Sequence, residues 1–157
     1  MSNLPYRKNV AIFVLNHEGK ILQCQRTDLA TVWQIPQGGI DEGEHPQETL
    51  KRELFEEVGI SEYALLGQLS QELRYDWPEA LYDRGFRGQD QTYFVVQIKA
   101  GTEICFNADP RAEVEFGAYE WVTPDKFMDR IQGFKRPPYE KALELLLKEF
   151  GKFVYSK

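Results

Sequence analysis

GGIDEGEHPQETLKRELFEEVGI, from Gly38 to Ile60, is the stretch that decides the fold. Pro46 suits the first turn of a helix, where its missing N–H is not needed, and Gly59 suits the position just past a helix end. Between them Leu50, Leu54 and Val58 recur every four residues and predict one apolar stripe. Glu53, Glu56 and Glu57 fall at i, i+3 and i+4, on a neighbouring face that abuts the stripe. A helix gains nothing from that grouping. Like charges four apart cost about 0.2–0.5 kcal/mol per pair, and acids near the C-terminus oppose the macrodipole by about 0.3–1 kcal/mol each. Lys51 and Arg52 offset only part of this. A hard cation among the carboxylates makes sense of them: oxygen ligands suit Mg²⁺ or Mn²⁺, and a substrate phosphate can complete the shell. Taken alone, the three glutamates read equally as a solvated acidic face.

The wider spacing separates the two readings. From Gly38 the chain runs five residues to Glu44, then seven to Arg52-Glu53-Leu54-Phe55-Glu56-Glu57-Val58-Gly59-Ile60. This resembles the Nudix box at every specified position. The resemblance implies an α/β Nudix fold, a mixed β-sheet sandwiched between α-helices. It also implies hydrolysis of a nucleoside diphosphate linked to another group, with divalent metal held by the box glutamates.

Length and composition agree. A chain of 157 residues suggests a single domain over 1–157 with room for a core, the box occupying 38–60. A net charge of −6 excludes a broadly basic nucleic-acid binder, so any nucleotide contact must come from a local basic patch. Cys24 and Cys105 make no disulfide or zinc framework, and Cys24 reads as a buried free thiol. The apolar run Val10 to Leu15 is too short for a signal peptide or a membrane span, so a cytoplasmic protein is expected.

Residues 8–15 and Ile21 to Arg26 read as strands joined by a turn at residues 16–19, with His17 exposed in it. Tyr63 to Tyr75 reads as strand, Asp76 to Gln89 as a long loop, and Gln91 to Ile98 and Glu115 to Val122 as strands. Thr123-Pro124 opens a short helix, and Gly133 to Pro138 reads as a basic loop. The last helix is expected to bury Tyr139, Ala142, Leu143, Leu146, Leu147 and Phe150 and to stop at Gly151.

Four further segments, the second running into the box, refine the resemblance: residues 6–10, 33–40, 88–91 and 134–136. They are similar to the branch of the family that holds bacterial RNA pyrophosphohydrolases and dinucleoside polyphosphate hydrolases, with Lys8 and Ile35 as departures. The resemblance implies Mg²⁺, with Mn²⁺ able to substitute, held by Glu56, Glu57, Glu53 and the Gly38 carbonyl. Gln37 is the alternative carbonyl, and Glu53 is either a ligand or the general base. Glu115 is the expected downstream acid, with Glu113 as its rival. Arg52 is expected to orient the box acids. Arg7, Arg26, Gln37, Gly39, Lys135 and Arg136 are expected at the substrate, with Tyr75 and Phe134 stacking a base. Arg84 and Arg87 read either as reaching RNA or as a solvated loop. The expected partners are 5′-triphosphorylated RNA or a nucleoside polyphosphate, no membrane, and a second copy of the chain as a candidate homodimer. A non-catalytic nucleotide-binding regulator is the remaining alternative.

Overall fold

The computed structural model describes residues 3–156; residues 1, 2 and 157, the ends of the expected domain, lie outside the described residues. The elements are β1 (Arg7–Leu15), β2 (Ile21–Arg26), β3 (Trp33–Gln34), β4 (Gln37–Gly39), α1 (Pro46–Val58), β5 (Ala64–Gln68), β6 (Leu73–Asp76), β7 (Gly88–Gln97), β8 (Phe116–Val122), α2 (Pro124–Phe127) and α3 (Arg136–Phe150).

The apolar run of β1 has both faces covered. Val10, Ile12 and Val14 pack with Leu50, Leu54 and Val58 of α1, while Ala11, Phe13 and Leu15 pack with Tyr139, Ala142, Leu145 and Leu146 of α3. β7 divides the same way, Phe94 and Val96 toward α1 and Tyr93 and Val95 toward α3. Period-two alternation with apolar residues on both faces is what a strand between two helical layers requires. β1 and β7 pair in parallel from Arg7↔Gln89 to Leu15↔Gln97. Their other partners, β2, β4, β5 and β6, are antiparallel, and β8 extends the sheet from β2. The sheet is therefore mixed and lies between helices, as expected. Leu54 is fully buried in this sandwich. Leu54→Ala should cost about 2–5 kcal/mol, read as a lower midpoint in urea or heat.

Gly59 takes φ +70 beyond α1, and its N–H and that of Ile60 donate to the closing carbonyls of Phe55 and Leu54, the left-handed stop expected there. Cys24 is buried and free, and His17 is exposed in its turn. Five expectations need correction. The 63–75 run is two strands, because both pair with β7 at different places and residues 69–72 bend between them. The 76–89 segment is not one loop. Asp76 ends β6, Gly88 begins β7, and between them the chain folds back on itself through mutual bonds between Asp83 and Phe86. The Gly133 to Pro138 stretch is not loop: Gly133–Lys135 forms a 3₁₀ turn and α3 starts at Arg136, with both prolines in its first turn. On α3, Leu147 is exposed and Leu145 is buried instead, because the covered face follows Tyr139, Ala142, Leu145 and Leu146. Gly151 takes φ −56 and continues into a 3₁₀ turn, so the helix ends without a left-handed residue. Among the described residues no helix is long and apolar enough to cross a membrane.

Candidate active site

β4 runs beside β1 and delivers the chain into α1, which sets backbone from residues 37–39 against the acid face of the helix. At Gly38 a Cβ would collide with the Glu53 carboxyl, and at Gly39 it would collide with the Arg7 guanidinium. A side chain at either place would have to push the Glu53 carboxyl or the Arg7 guanidinium out of its present position. The Gln37 N–H donates to Glu57 Oε1 at 2.8 Å.

Arg52 is the hub of the acids. Its Nε and Nη2 donate to Glu44 Oε2 and Oε1, both at 2.9 Å, and Nη1 donates to Glu53 Oε1 at 2.7 Å and Glu56 Oε2 at 3.3 Å. Nη2 also reaches the Gly39 carbonyl at 3.0 Å. The fork on Glu44 holds that carboxyl down to about 2. Burial acts the other way on the next two acids. It pushes Glu53 up to about 7, with Arg52 opposing. It pushes Glu57 well above the carboxylate range, reinforced by Glu115 and Glu53. Glu57 Oε2 is buried without a hydrogen-bond donor. The Glu115 carboxyl lies within its reach, but two carboxylates bond only if one keeps a proton.

As the side chains stand, no three His, Cys, Asp or Glu among the described residues are gathered to hold a metal ion; Arg52 occupies the acids instead. The donor set nonetheless fits a divalent cation. It is all oxygen, it includes one buried orphan acceptor on Glu57, and Gly38 leaves its backbone open to Glu53. A bound divalent charge would return the raised carboxyls to their ionised form.

Two hollows meet at these acids. A recess of about 530 Å³ is lined by Glu53, Glu56, Glu57, Asp109, Arg111 and Glu113 with Glu115. A cleft of about 920 Å³ shares Glu53, Glu113 and Glu115 with it, and is walled by Arg7, Arg26, Tyr75, Arg84, Phe134 and Lys135. The molecule thus places an acidic recess beside a cleft in which four cations, Arg7, Arg26, Arg84 and Lys135, and two facing aromatic rings stand among Asp28, Asp83 and the shared acids. Gln37, Gly38 and Gly39 line the cleft floor. Tyr75 and Phe134 face each other with centroids 6.3 Å apart and planes 27° apart. Burial lowers Lys135 to about 8, helped by the charge of Arg26 and opposed by Asp28.

Of the expected substrate residues, Arg136 alone is turned elsewhere. Its Nη1 donates to the carbonyls of Met128 and Ile131, both at 2.9 Å, and its Nε pairs with Glu140. Arg87 likewise braces Asp76 rather than lining the cleft, whereas Arg84 does line it. Sequence reading missed Asp28 and the amide network behind the cleft floor. Gln91 Nε2 donates to Asn9 Oδ1 at 2.9 Å and to Gln37 Oε1 at 3.0 Å, and Gln89 Nε2 donates to the Tyr75 hydroxyl at 2.7 Å. The run Gln89-Asp90-Gln91-Thr92, polar yet buried at the start of β7, is the signal that could have revealed it.

The NUDIX domain profile matches residues 5–142. The chain belongs to the NUDIX domain family. Among its Nudix relatives, the RNA pyrophosphohydrolase of Gluconobacter oxydans is 42% identical, covering 89% of this chain and 85% of its own length. That of Rhodospirillum rubrum is 39% identical, covering 90% and 87%. Among solved structures, a C. elegans Ap4A hydrolase binary complex superposes with a TM-score of 0.67 at 17% identity, covering 94% of this chain and 96% of that one. Nudix hydrolases use divalent metal ions, and the oxygen donors described above suit one.

Proposed function

We propose that this Nudix hydrolase converts the 5′-triphosphate end of RNA to a 5′-monophosphate, releasing pyrophosphate or phosphate and so promoting mRNA decay in the cytoplasm. The observation that carries the reading is the meeting, at Glu53 and Glu115, of an acidic recess and a cleft that holds Arg7, Arg26 and Lys135 beside the Tyr75 and Phe134 rings. A polyphosphate needs cations at its reacting end and a base-binding wall beyond it. The relatives named RNA pyrophosphohydrolase, matched over most of the chain, give the substrate class.

In this reading Glu53, Glu56, Glu57 and Glu115, with the Gly38 carbonyl, hold Mg²⁺, and Mn²⁺ can substitute. The bound cation neutralises phosphate charge and acidifies water. Glu53 stands where recess and cleft join, and serves as a ligand or as acceptor of the proton from the attacking water. Arg52 keeps the acids gathered. Arg7, Arg26 and Lys135 take phosphate charge, which is most of what phosphoryl transfer asks of a protein. Tyr75 and Phe134 stack a base, supported by Gln37 and Gly39 on the floor. Hydrolysis of diadenosine tetraphosphate is the second reading, favoured by the volume of the cleft, about 920 Å³. A non-catalytic regulator fits poorly with a complete set of acids. Product analysis with magnesium decides: end-labelled triphosphorylated RNA should yield a monophosphate end faster than diadenosine tetraphosphate is cleaved at matched concentration. Activity confined to the dinucleotide would replace the first reading by the second.

Lys135 gives this reading a pH signature. Its ammonium is lost through about pH 8 in the free enzyme, so KM for a polyphosphate substrate should rise above that pH. Lys135→Arg should abolish the rise, because guanidinium stays charged. Stability should run the other way. The unfolded chain keeps the Lys135 proton up to roughly pH 10.4, so between about 8 and that value it binds more protons, and folding gains stability as pH rises.

A further inference from the structure

Asp28 lies in the loop between β2 and β3 and lines the cleft. Its carboxylate accepts both arms of the Arg26 fork: Nε donates to Oδ1 at 2.8 Å and Nη2 to Oδ2 at 2.5 Å. The side chains of Arg26 and Asp28 are 37% and 63% exposed, so the pair adds little to folding. Its form is informative for another reason. Guanidinium binds carboxylate and phosphate through the same two parallel N–H groups. Asp28 therefore occupies on Arg26 the place a phosphate would take. Its charge also acts on Lys135, the other cation of this wall.

We propose that Asp28 is a positioning residue that competes internally for Arg26, so that a phosphate enters the fork only by displacing a carboxylate already there. The inference rests on the reading of Arg26 as a phosphate contact. Exchange replaces simple filling, so substrate and product phosphates at this position are weakened by the same factor. A monophosphorylated product, with fewer charges to hold it elsewhere, then leaves readily. The carboxylate also holds Arg26 in its cleft-facing orientation until a phosphate arrives.

The test is equilibrium binding, without metal and therefore without turnover, at pH 6.5 where Lys135 keeps its proton. The probes are a 5′-monophosphorylated RNA dinucleotide and inorganic pyrophosphate, titrated into the full chain carrying Asp28→Asn, Asp28→Glu, Arg26→Ala, or Asp28→Asn with Arg26→Ala. Asp28→Asn should tighten both probes about two- to fivefold, the range an exposed ion pair commands. Asp28→Glu should stay near the wild type. Arg26→Ala should weaken binding, and in its background Asp28→Asn should change nothing. If Asp28→Asn leaves affinity unaltered while Arg26→Ala weakens it, the competition is refuted and Arg26 keeps its phosphate role. If Arg26→Ala has no effect, Arg26 is not a phosphate contact and both ideas fall.

Discussion

Glu53→Gln should lower kcat by about 10²- to 10⁴-fold, the range for loss of a positioned proton acceptor. The substitution keeps the shape of a buried side chain and removes the charge that a cation or a proton would use. Glu53 sits against the Gly38 backbone, shares both hollows and takes a 2.7 Å hydrogen bond from Arg52. A glutamine oxygen can accept that hydrogen bond, so the fold should survive. The Tm should stay within about 4 °C, the change roughly 1 kcal/mol makes in a chain of this size. Steady-state kinetics on triphosphorylated RNA, with a thermal melt on the same preparation, is the measurement. Unchanged turnover would remove Glu53 from the chemistry. Lost turnover with a collapsed melt would mean that the residue is structural.

Arg52→Ala should lower stability, and that effect should depend on magnesium. One guanidinium is shared by Glu44, Glu53 and Glu56 and the Gly39 carbonyl, and it is 28% exposed. Removing it leaves several half-buried carboxylates facing each other with no counter-charge. Breaking a buried pair costs about 3–5 kcal/mol; partial exposure reduces this to about 2–3 kcal/mol, or roughly 5–10 °C in Tm. A divalent cation among the same acids would supply the missing charge, so magnesium should raise the Tm of Arg52→Ala more than that of the wild type. Arg52→Lys should fall between, since an ammonium keeps the charge but cannot fork Glu44. Differential scanning fluorimetry with and without magnesium reads this directly. An equal magnesium shift in all three proteins would mean that the cation and Arg52 do not share the acids.

The two sets of residues in the site differ in how far the sequence could place them. Glu53, Glu56 and Glu57 were legible as one converging face because three and four residues along a helix is a fixed local geometry. The burial of Leu50, Leu54 and Val58 and the left-handed Gly59 followed from the same local rules. Local rules misled where a partner element decided. Tyr63 to Tyr75 carried one strand-like pattern, yet β7 pairs with it in two separate places. Leu147 has the right spacing for the α3 core but is left exposed, and Leu145 takes its place. Arg136 sits beside Lys135 in a basic run, yet the start of α3 turns it to the carbonyls of Met128 and Ile131.

By itself the sequence determined the helix and the shared face of its acids, because those depend on separations of a few residues along one helix. Tertiary structure decided the cleft. Arg7 and Tyr75 come together through the parallel register of β1 on β7 and the antiparallel register of β6 on β7, while Arg26 arrives at the end of β2 and Lys135 just before α3. A shift of one residue in either register would turn every one of that strand's side chains to the opposite face, and no short-range pattern encodes it. The Asp28 carboxylate on Arg26 and the unsatisfied oxygen of Glu57 belong to the same class. Whether a charged group is free, paired or orphaned depends on what the folded chain brings beside it.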